Sequence, residues 1–594
     1  MFRRFLLAIA LAPLTAFAAE VTLIPAGAEW RYLDAGSAQG PQFAPASSDL
    51  SFDLRLVTTT GDPSVVVTRG PYLQMGSAGR MVVRWRTSVP ADSRVRYGVH
   101  AGSLDLIADN PGSTTEHEVT LSGLASATRY FYSVGSTTAT HAGNDASHHF
   151  FTAPPPGAST PVRVWILGDS GTANHDAALV RDAYLAFTGS RHTNLWLMLG
   201  DNAYDTGTDA EYQSAVFAMY PTMLRKSVLW PTLGNHDTAQ MQTVPPTLPY
   251  FAMFSLPASA ESGGVASGTE KYYSFDYANI HFVCLDSMTS DRSPAAPMLT
   301  WLRDDLAATT QPWIIAYWHH PPYSKGSHDS DADAQLVEMR QNALPILEDY
   351  GVDLVLAGHS HSYERSFLID SHYGSSATFV SAMKIDGGDG RPSGDGGYEK
   401  ATLGPAGHEG AVYAVAGSSG RTEAAPLDHP AHFLSLSVLG SLVLDVQGRR
   451  LDATFLRENG SVGDTFTILK GPPPSSAGAQ LHLVTPCRVV DTRNGSALPA
   501  DAARRVAVAG SCGIPAGARA VAVNLTAVVP SATGYLTLHP SDQLRPATST
   551  LNYRAAKTRA NNALMSLSTD GALDVFNGGG ASIHFILDVT GYFQ

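Results

Sequence analysis

The sequence predicts a multidomain protein: a β-sandwich, then an α/β layered sandwich, then a C-terminal all-β domain. Three observations predict this order. Short strands of alternating polarity fill residues 63–153. Five near-continuous apolar runs, separated by helical patterns, occupy the middle of the chain. Short strands with turn signals return after the proline-rich "KGPPPSSAGAQ". At 594 residues the chain has room for several domains, and its 44% hydrophobic content is that of an ordinary globular protein. A formal net charge of −14 argues against nucleic acid or an anionic membrane as the main partner.

Taken in order, residues 1–18 read as a signal peptide: a basic head at Arg3 and Arg4, an apolar core from Phe5 to Leu14, and Ala16-Phe17-Ala18 before the cut. That run is too short to span a bilayer, and no later run looks transmembrane. The expectation is export, extracellular or periplasmic, by the general or the twin-arginine route. Residues 19–62 receive no assignment. In 63–153, "MVVRWRT" places Met81, Val83 and Trp85 on one face and Arg84 and Arg86 on the other. "TAPPPGASTP" is a linker, and 160–470 form the α/β part. Its helix candidates are "HDAALVRDAYLAF", "AEYQSAVFAMYPTMLRK", "MLTWLRDDLAA" with Leu299, Leu302 and Leu306 at helical spacing, and a segment near 333–350 ending at Gly351. Residues 480–594 are expected to form a separate β-sandwich. Cys487 and Cys512 are expected to pair in an oxidising compartment, worth roughly 3 kcal/mol by chain entropy. Cys284 in "IHFVCLD" reads as a buried strand residue.

The five apolar runs carry the chemistry. Each ends in polar residues: "GDSG" with Asp169, "GDNAY" with Asp201 and Tyr204, "GNHD" with Asn235 and His236, "WHHP" with His319, and "GHSH" with His359 and His361. Strand carboxyl ends converge on the site of an open α/β sheet. A single Gly-Asp after a strand is often only a turn, but an ordered series of five delivers carboxylates, an amide oxygen, a phenol and imidazoles to one place. A two-metal centre needs such a donor set. His320 reads as a neighbour that supports the ligands or as packing, rather than as a ligand itself, and Tyr363, Glu364 and Arg365 as structural or as hydrogen-bond partners for the site. No P-loop or dinucleotide glycine pattern is evident, so no organic cofactor is implied.

This series resembles the purple acid phosphatases of the metallophosphoesterase superfamily. The resemblance extends to 63–153, with "RGPYLQMG" and a fibronectin type III-like pattern that makes Tyr130 the corner tyrosine. It implies that Asp169, Tyr204 and His361 bind ferric iron (Fe3+). Asn235, His319 and His359 would bind a divalent ion (Zn2+, Mn2+ or Fe2+), and Asp201 would bridge the two. His236 would face the substrate, as would His328, nine residues after His319. The first motif, Asp169-Ser170-Gly171, lacks the histidine of the cyclic-nucleotide phosphodiesterases. Tyr204 stands three residues after Asp201 instead, a hard anionic donor suited to a trivalent ion. One departure is Asp237, where many members carry Glu. The tail, with "CRVVDTR" and "ILDVTGYF", resembles a module at the ends of secreted bacterial proteins.

The implied activity is hydrolysis of small phosphate monoesters by in-line attack of a metal-bound hydroxide. A ferric ion should lower the pKa of bound water below the ~7 of a zinc site. Two other readings stand beside it: a phosphodiesterase or nucleotide-cleaving enzyme on the same centre, and a surface-binding protein with an inactive phosphatase core. The tail could attach the protein to cell wall or polysaccharide, or act as a stabilising cap.

Overall fold

A computed structural model describes residues 65–242, 248–472 and 480–594. The signal-peptide reading over 1–18 and the segment 19–62 lie outside the described residues.

The first described region is a six-stranded antiparallel arrangement built on one long strand, Arg80–Gly98. Its first half pairs with Val67–Gln74, its end with Arg129–Gly135, and both halves with Leu106–Ser122. Met81, Val83 and Trp85 turn into the core, and Trp85 stacks on His117 at 4.7 Å between ring centroids. The Tyr130 hydroxyl accepts from the Ala125 N–H at 3.0 Å. The arginine face is not left to solvent. Arg84 donates to the Ala252 carbonyl at 2.7 Å, and Arg69 and Arg86 both reach Asp209, at 2.8 and 2.7 Å.

All five apolar runs form strands with every residue buried: Val162–Leu167, Leu195–Met198, Val228–Pro231, Trp313–Trp318 and Leu354–Ala357. They are divided between two seven-stranded sheets. The first three are adjacent and parallel at one edge of one sheet. The last two lie between Ile280–Cys284 and Val412–Ala416 in the other, again all parallel. Trp165, Trp196, Trp230 and Trp313 fill the main core, so each strand is apolar on both faces because each face meets packed side chains.

Helices follow the periodic segments. His175–Thr188 is capped by Asn174, whose side chain accepts from the Ala177 N–H at 2.9 Å. Pro297–Ala308 buries Leu299, Leu302 and Leu306. The segment read as one helix from Ala210 to Lys226 is broken instead. Asp209–Tyr212 opens with a Thr208/Glu211 capping box, widens into a π turn over Gln213–Phe217, and stops before Pro221–Leu224. Pro221 has no N–H to continue the ladder.

Residues 480–594 form two four-stranded antiparallel sheets around Val521, Val523, Leu525, Val575 and Leu587. Cys487 and Cys512 are disulfide-bonded. Cys284 is buried in its strand, and burial pushes its thiol up to about 12. Among the described residues no helix is long and apolar enough to cross a membrane.

One buried ion cluster braces the second sheet. His281 lies 2.8 Å from both Asp276 and Asp305, and Asp305 also accepts from Ser274 and from the Val265 N–H. Burial lowers the affinity of the imidazole for a proton, but the two aspartates outweigh it and hold the pKa at about 9. A pKa raised above the unfolded value gives stability that is complete below about pH 6.5 and is lost as pH rises through 9. The shift corresponds to about 3 kcal/mol. Calorimetric melting from pH 6 to 10 should show the parent losing its advantage over His281→Gln across that window. A constant difference between the two proteins would remove this account of His281.

Candidate metal centre

Three of the strand ends turn by the same device. A glycine is followed by a residue with left-handed backbone: Asp169 at φ 56°, Asp201 at 52° and His359 at 67°. Non-glycine residues adopt this conformation at a cost, and it recurs where a site over-determines the backbone. Close approach explains two of the glycines. A Cβ on Gly234 would lie 2.2 Å from the Asp201 carboxylate, and one on Gly200 would lie 2.5 Å from Nδ1 of His319.

The turns bring all seven ligand candidates together. The Tyr204 hydroxyl donates to Asp201 Oδ2 at 3.0 Å and Asp169 Oδ1 at 3.2 Å, and lies 3.3 Å from His361 Nε2. On the other side, His319 Nε2 is 3.0 Å from Asn235 Oδ1 and 3.1 Å from His359 Nδ1. Asp201 belongs to both halves: Oδ2 faces Tyr204, while Oδ1 lies 3.4 Å from His319 Nε2 and accepts from the His236 N–H at 2.9 Å. Asp169, Asp201 and His319 offer ligand atoms within 4.8 Å of one another. Asp169 is further fixed by the His359 N–H, which donates to its Oδ2 at 2.7 Å.

The protonation pattern fits cations. His319 Nδ1 donates to the Leu199 carbonyl at 2.8 Å, which in the neutral ring leaves a lone pair on Nε2. Around that lone pair stand an amide oxygen, a carboxylate and another imidazole. Burial, reinforced by the neighbouring histidines, holds His359 well below the ordinary range and therefore neutral, the ligand form. Burial and then the Asp169 and Asp201 carboxylates push the Tyr204 phenol far up. Burial opposes a proton on His361, but the carboxylates outweigh it and so hold protons on it and on Tyr204, positive charge that bound cations would replace among these nitrogen and oxygen donors.

The two substrate-facing candidates sit at the rim. His236 donates from Nδ1 to the Asp205 carbonyl at 2.7 Å, packs against Tyr204, and leaves Nε2 3.9 Å from Asp201. His328 stacks on His359 at 3.6 Å between centroids and pairs with Asp333 at 3.1 Å. Each has a side chain about one-third exposed. Asp237 is buried and clamps two ligand loops, accepting from the Gly234 N–H at 2.8 Å, from the backbone and side-chain nitrogens of Asn202, and from the Tyr212 hydroxyl. Glu364 and Arg365 are fully buried in hydrogen bonds, Arg365 with Asp464 at 2.6 Å.

One feature escaped the sequence reading. Glu423 accepts from His361 Nδ1 at 2.7 Å and is paired with Arg421. It follows "VYAVAGSSG", a sixth apolar run ending in glycine, the same signal as the other five. His320, expected as a supporting neighbour or as packing, has its ring 4.4 Å from that of His359, and its Nδ1 bonds Ser287 at 2.9 Å.

Comparison with known proteins finds two family matches in succession along the chain. The calcineurin-like phosphoesterase family model matches residues 162–363, and the purple acid phosphatase N-terminal domain model matches 69–152. Purple acid phosphatase 15 of Arabidopsis thaliana is 30% identical over 42% of this chain and 49% of its own length. Acid phosphatase type 7 of Homo sapiens is 29% identical over 54% of this chain and 75% of its own. The chain thus spans only about half the length of the Arabidopsis relative. Among solved structures, the purple acid phosphatase PPD1 from yellow lupin seeds shares the fold, with a TM-score of 0.55 at 19% identity over 68% of this chain and 75% of that one. Two matched domains in the same order, with the strand-end series inside the second, make residues 69–363 similar to the purple acid phosphatases of the metallophosphoesterase superfamily.

Proposed function

We propose that the protein hydrolyses phosphate monoesters at two cations held by the seven convergent side chains. The observation that carries this reading is Asp201, whose two carboxylate oxygens face opposite halves of the cluster. Asp169, Tyr204 and His361 form one half; Asn235, His319 and His359 form the other. Bound cations would supply Lewis-acid polarisation of a phosphate oxygen and a water acidic enough to attack at mild pH. The phenol and two carboxylates of the first half suit a trivalent ion such as Fe3+, and the amide and imidazoles of the second a divalent one.

The chain's own groups orient and assist. Glu423 fixes the His361 ring so that Nε2 faces Tyr204 and Asp169, and the Leu199 carbonyl does the same for His319. His236 is fixed through Nδ1, which leaves Nε2 to donate to a phosphate oxygen or to the leaving alkoxide when the ring is protonated. His328, held by Asp333, offers a second donor at the rim. The Cys487–Cys512 disulfide supports a place outside the reducing cytosol, in line with a secreted enzyme.

Three measurements check this reading. Asp201→Ala should lower kcat/KM for p-nitrophenyl phosphate by at least ~10²-fold; undiminished turnover would end the catalytic assignment. His236→Ala should lower kcat by about 10²-fold with metal content unchanged, and the parent should prefer the monoester to bis-p-nitrophenyl phosphate. A preference for the diester would shift the reading to a phosphodiesterase.

Glu423→Ala should weaken metal retention against a chelator by about 10–100-fold, with loss concentrated in one of two ions by elemental analysis. Tyr204→Phe should abolish any visible absorption band of the iron-loaded protein, because the phenolate that gives the band is gone. A band that survives would place the ferric ion elsewhere.

A further inference from the structure

The formal charge of −14 is unevenly spread. Residues 502–569 hold seven Arg and Lys against a single acid, Asp542, so this stretch carries a net charge of +6 inside an acidic chain. Some of these cations are engaged: Arg505 pairs with Asp570, and Arg545 lies over the Phe576 ring at 3.7 Å. Three others gather at one end of the C-terminal module. Arg554 and Lys557 lie in the turn between the Leu551–Tyr553 and Arg559–Ser566 strands, which belong to different sheets, and Arg559 opens the second. All three are exposed, and they form no ion pair, side-chain hydrogen bond or ring contact among the described residues. A second loop is pinned to the same end. The Ala556 N–H donates to the Pro530 carbonyl at 2.7 Å, and the Val529 N–H to the Thr558 hydroxyl at 3.2 Å. Val529 is 63% exposed at this tip.

We propose that this end of the module is a docking surface for an anionic polysaccharide, a chain with repeating carboxylate or sulfate groups. Three cations unpaired among the described residues, on a turn and the strand start after it, with the turn fixed by one backbone bond and one bond to the Thr558 hydroxyl, form a positive surface with no acid in the surrounding sequence from 543 to 569. The body's negative charge is screened beyond ~10 Å at ordinary ionic strength, so the local sign governs contact. The cluster within 552–562 contains one aromatic, Tyr553, and it is buried, so the tip has no ring on which a base or a neutral sugar could stack. A single exposed aliphatic, Val529, is too small an apolar surface for insertion into a membrane. Charge pairing with a flexible polymer is the chemistry left.

The full-length protein is tested on immobilised polygalacturonate and dextran sulfate, with neutral dextran, duplex DNA and anionic phosphatidylglycerol vesicles at equal salt. Retention on the two anionic glycans, lost between about 50 and 500 mM salt, is expected. Arg554→Ala/Lys557→Ala/Arg559→Ala should bind roughly 100-fold more weakly, at about fivefold per cation removed. Its melting temperature should match the parent's, and Arg554→Lys/Arg559→Lys should bind as the parent does. Unchanged binding by the triple variant, equal retention on neutral dextran, or stronger binding to DNA or vesicles would overturn the proposal. Phosphate ester hydrolysis plays no part in the readout, so the outcome is independent of the reading of the catalytic centre.

Discussion

The candidate centre depends on how one carboxylate is held. Asp201 sits one residue past Gly200, with a left-handed backbone, and is almost fully buried. Its Oδ2 accepts from Tyr204, and its Oδ1 accepts from the His236 N–H. A free carboxylate would turn about its Cβ–Cγ bond and serve only one neighbour at a time. Fixed from two sides, it offers one oxygen to each half of the cluster. Gly234, whose missing Cβ leaves room for Oδ1, belongs to the same constraint. A buried carboxylate without compensation is costly, and here the Tyr204 hydroxyl and the His236 N–H supply one donor to each oxygen.

The surrounding fold transmits that constraint over a long path. Arg69 and Arg86 of the N-terminal sheet hold Asp209, the first residue of the short helix that ends in Tyr212. The Tyr212 hydroxyl donates to Asp237, and Asp237 holds the backbone of Asn202 and Gly234. Asn202 follows Asp201, and Gly234 precedes Asn235. The N-terminal region is therefore linked through three successive side-chain contacts and one helical turn to ligand loops from two adjacent strands. The arginines that alternation placed on the "outer" face of "MVVRWRT" are the docking face of this sheet, which is why an otherwise amphipathic strand is buried on both sides.

Much of this was legible in the chain because each element used one signal only. Strands buried on both faces read as apolar runs, and glycine followed by a polar residue marked their ends. The five runs were therefore found without knowing that they divide three and two between sheets, since period and composition carry no pairing information. The same signal is present at "VYAVAGSSGRTE", but Glu423 lies six residues beyond Gly417 and carries no ligand-type spacing. The helix near 210–226 was misread as continuous for a different reason. Its apolar spacing is helical, but Pro221 and the wider π turn interrupt the ladder, and spacing alone does not register a missing N–H. Asp237 differs from a glutamate by one methylene. With Asn202, Gly234 and Tyr212 all bonded to it, the shorter side chain is already in contact with every group it must hold.

Net charge was the least informative quantity at the scale where it was first applied. A total of −14 excludes polyanionic partners only if charge is spread evenly, and the field at a surface is set by groups within about a Debye length. Within the α/β part, cations are largely consumed by structure: Arg365 by Asp464, Lys400 and Lys470 by Asp353, and Arg163 by Asp445. Among the described residues, Arg554, Lys557 and Arg559 of the C-terminal module pair with no acid. The two regions obey the same electrostatics with opposite outcomes. Where acids are available, basic side chains become bracing for the fold; where they are absent, the charge stays on the surface and is free to meet another molecule.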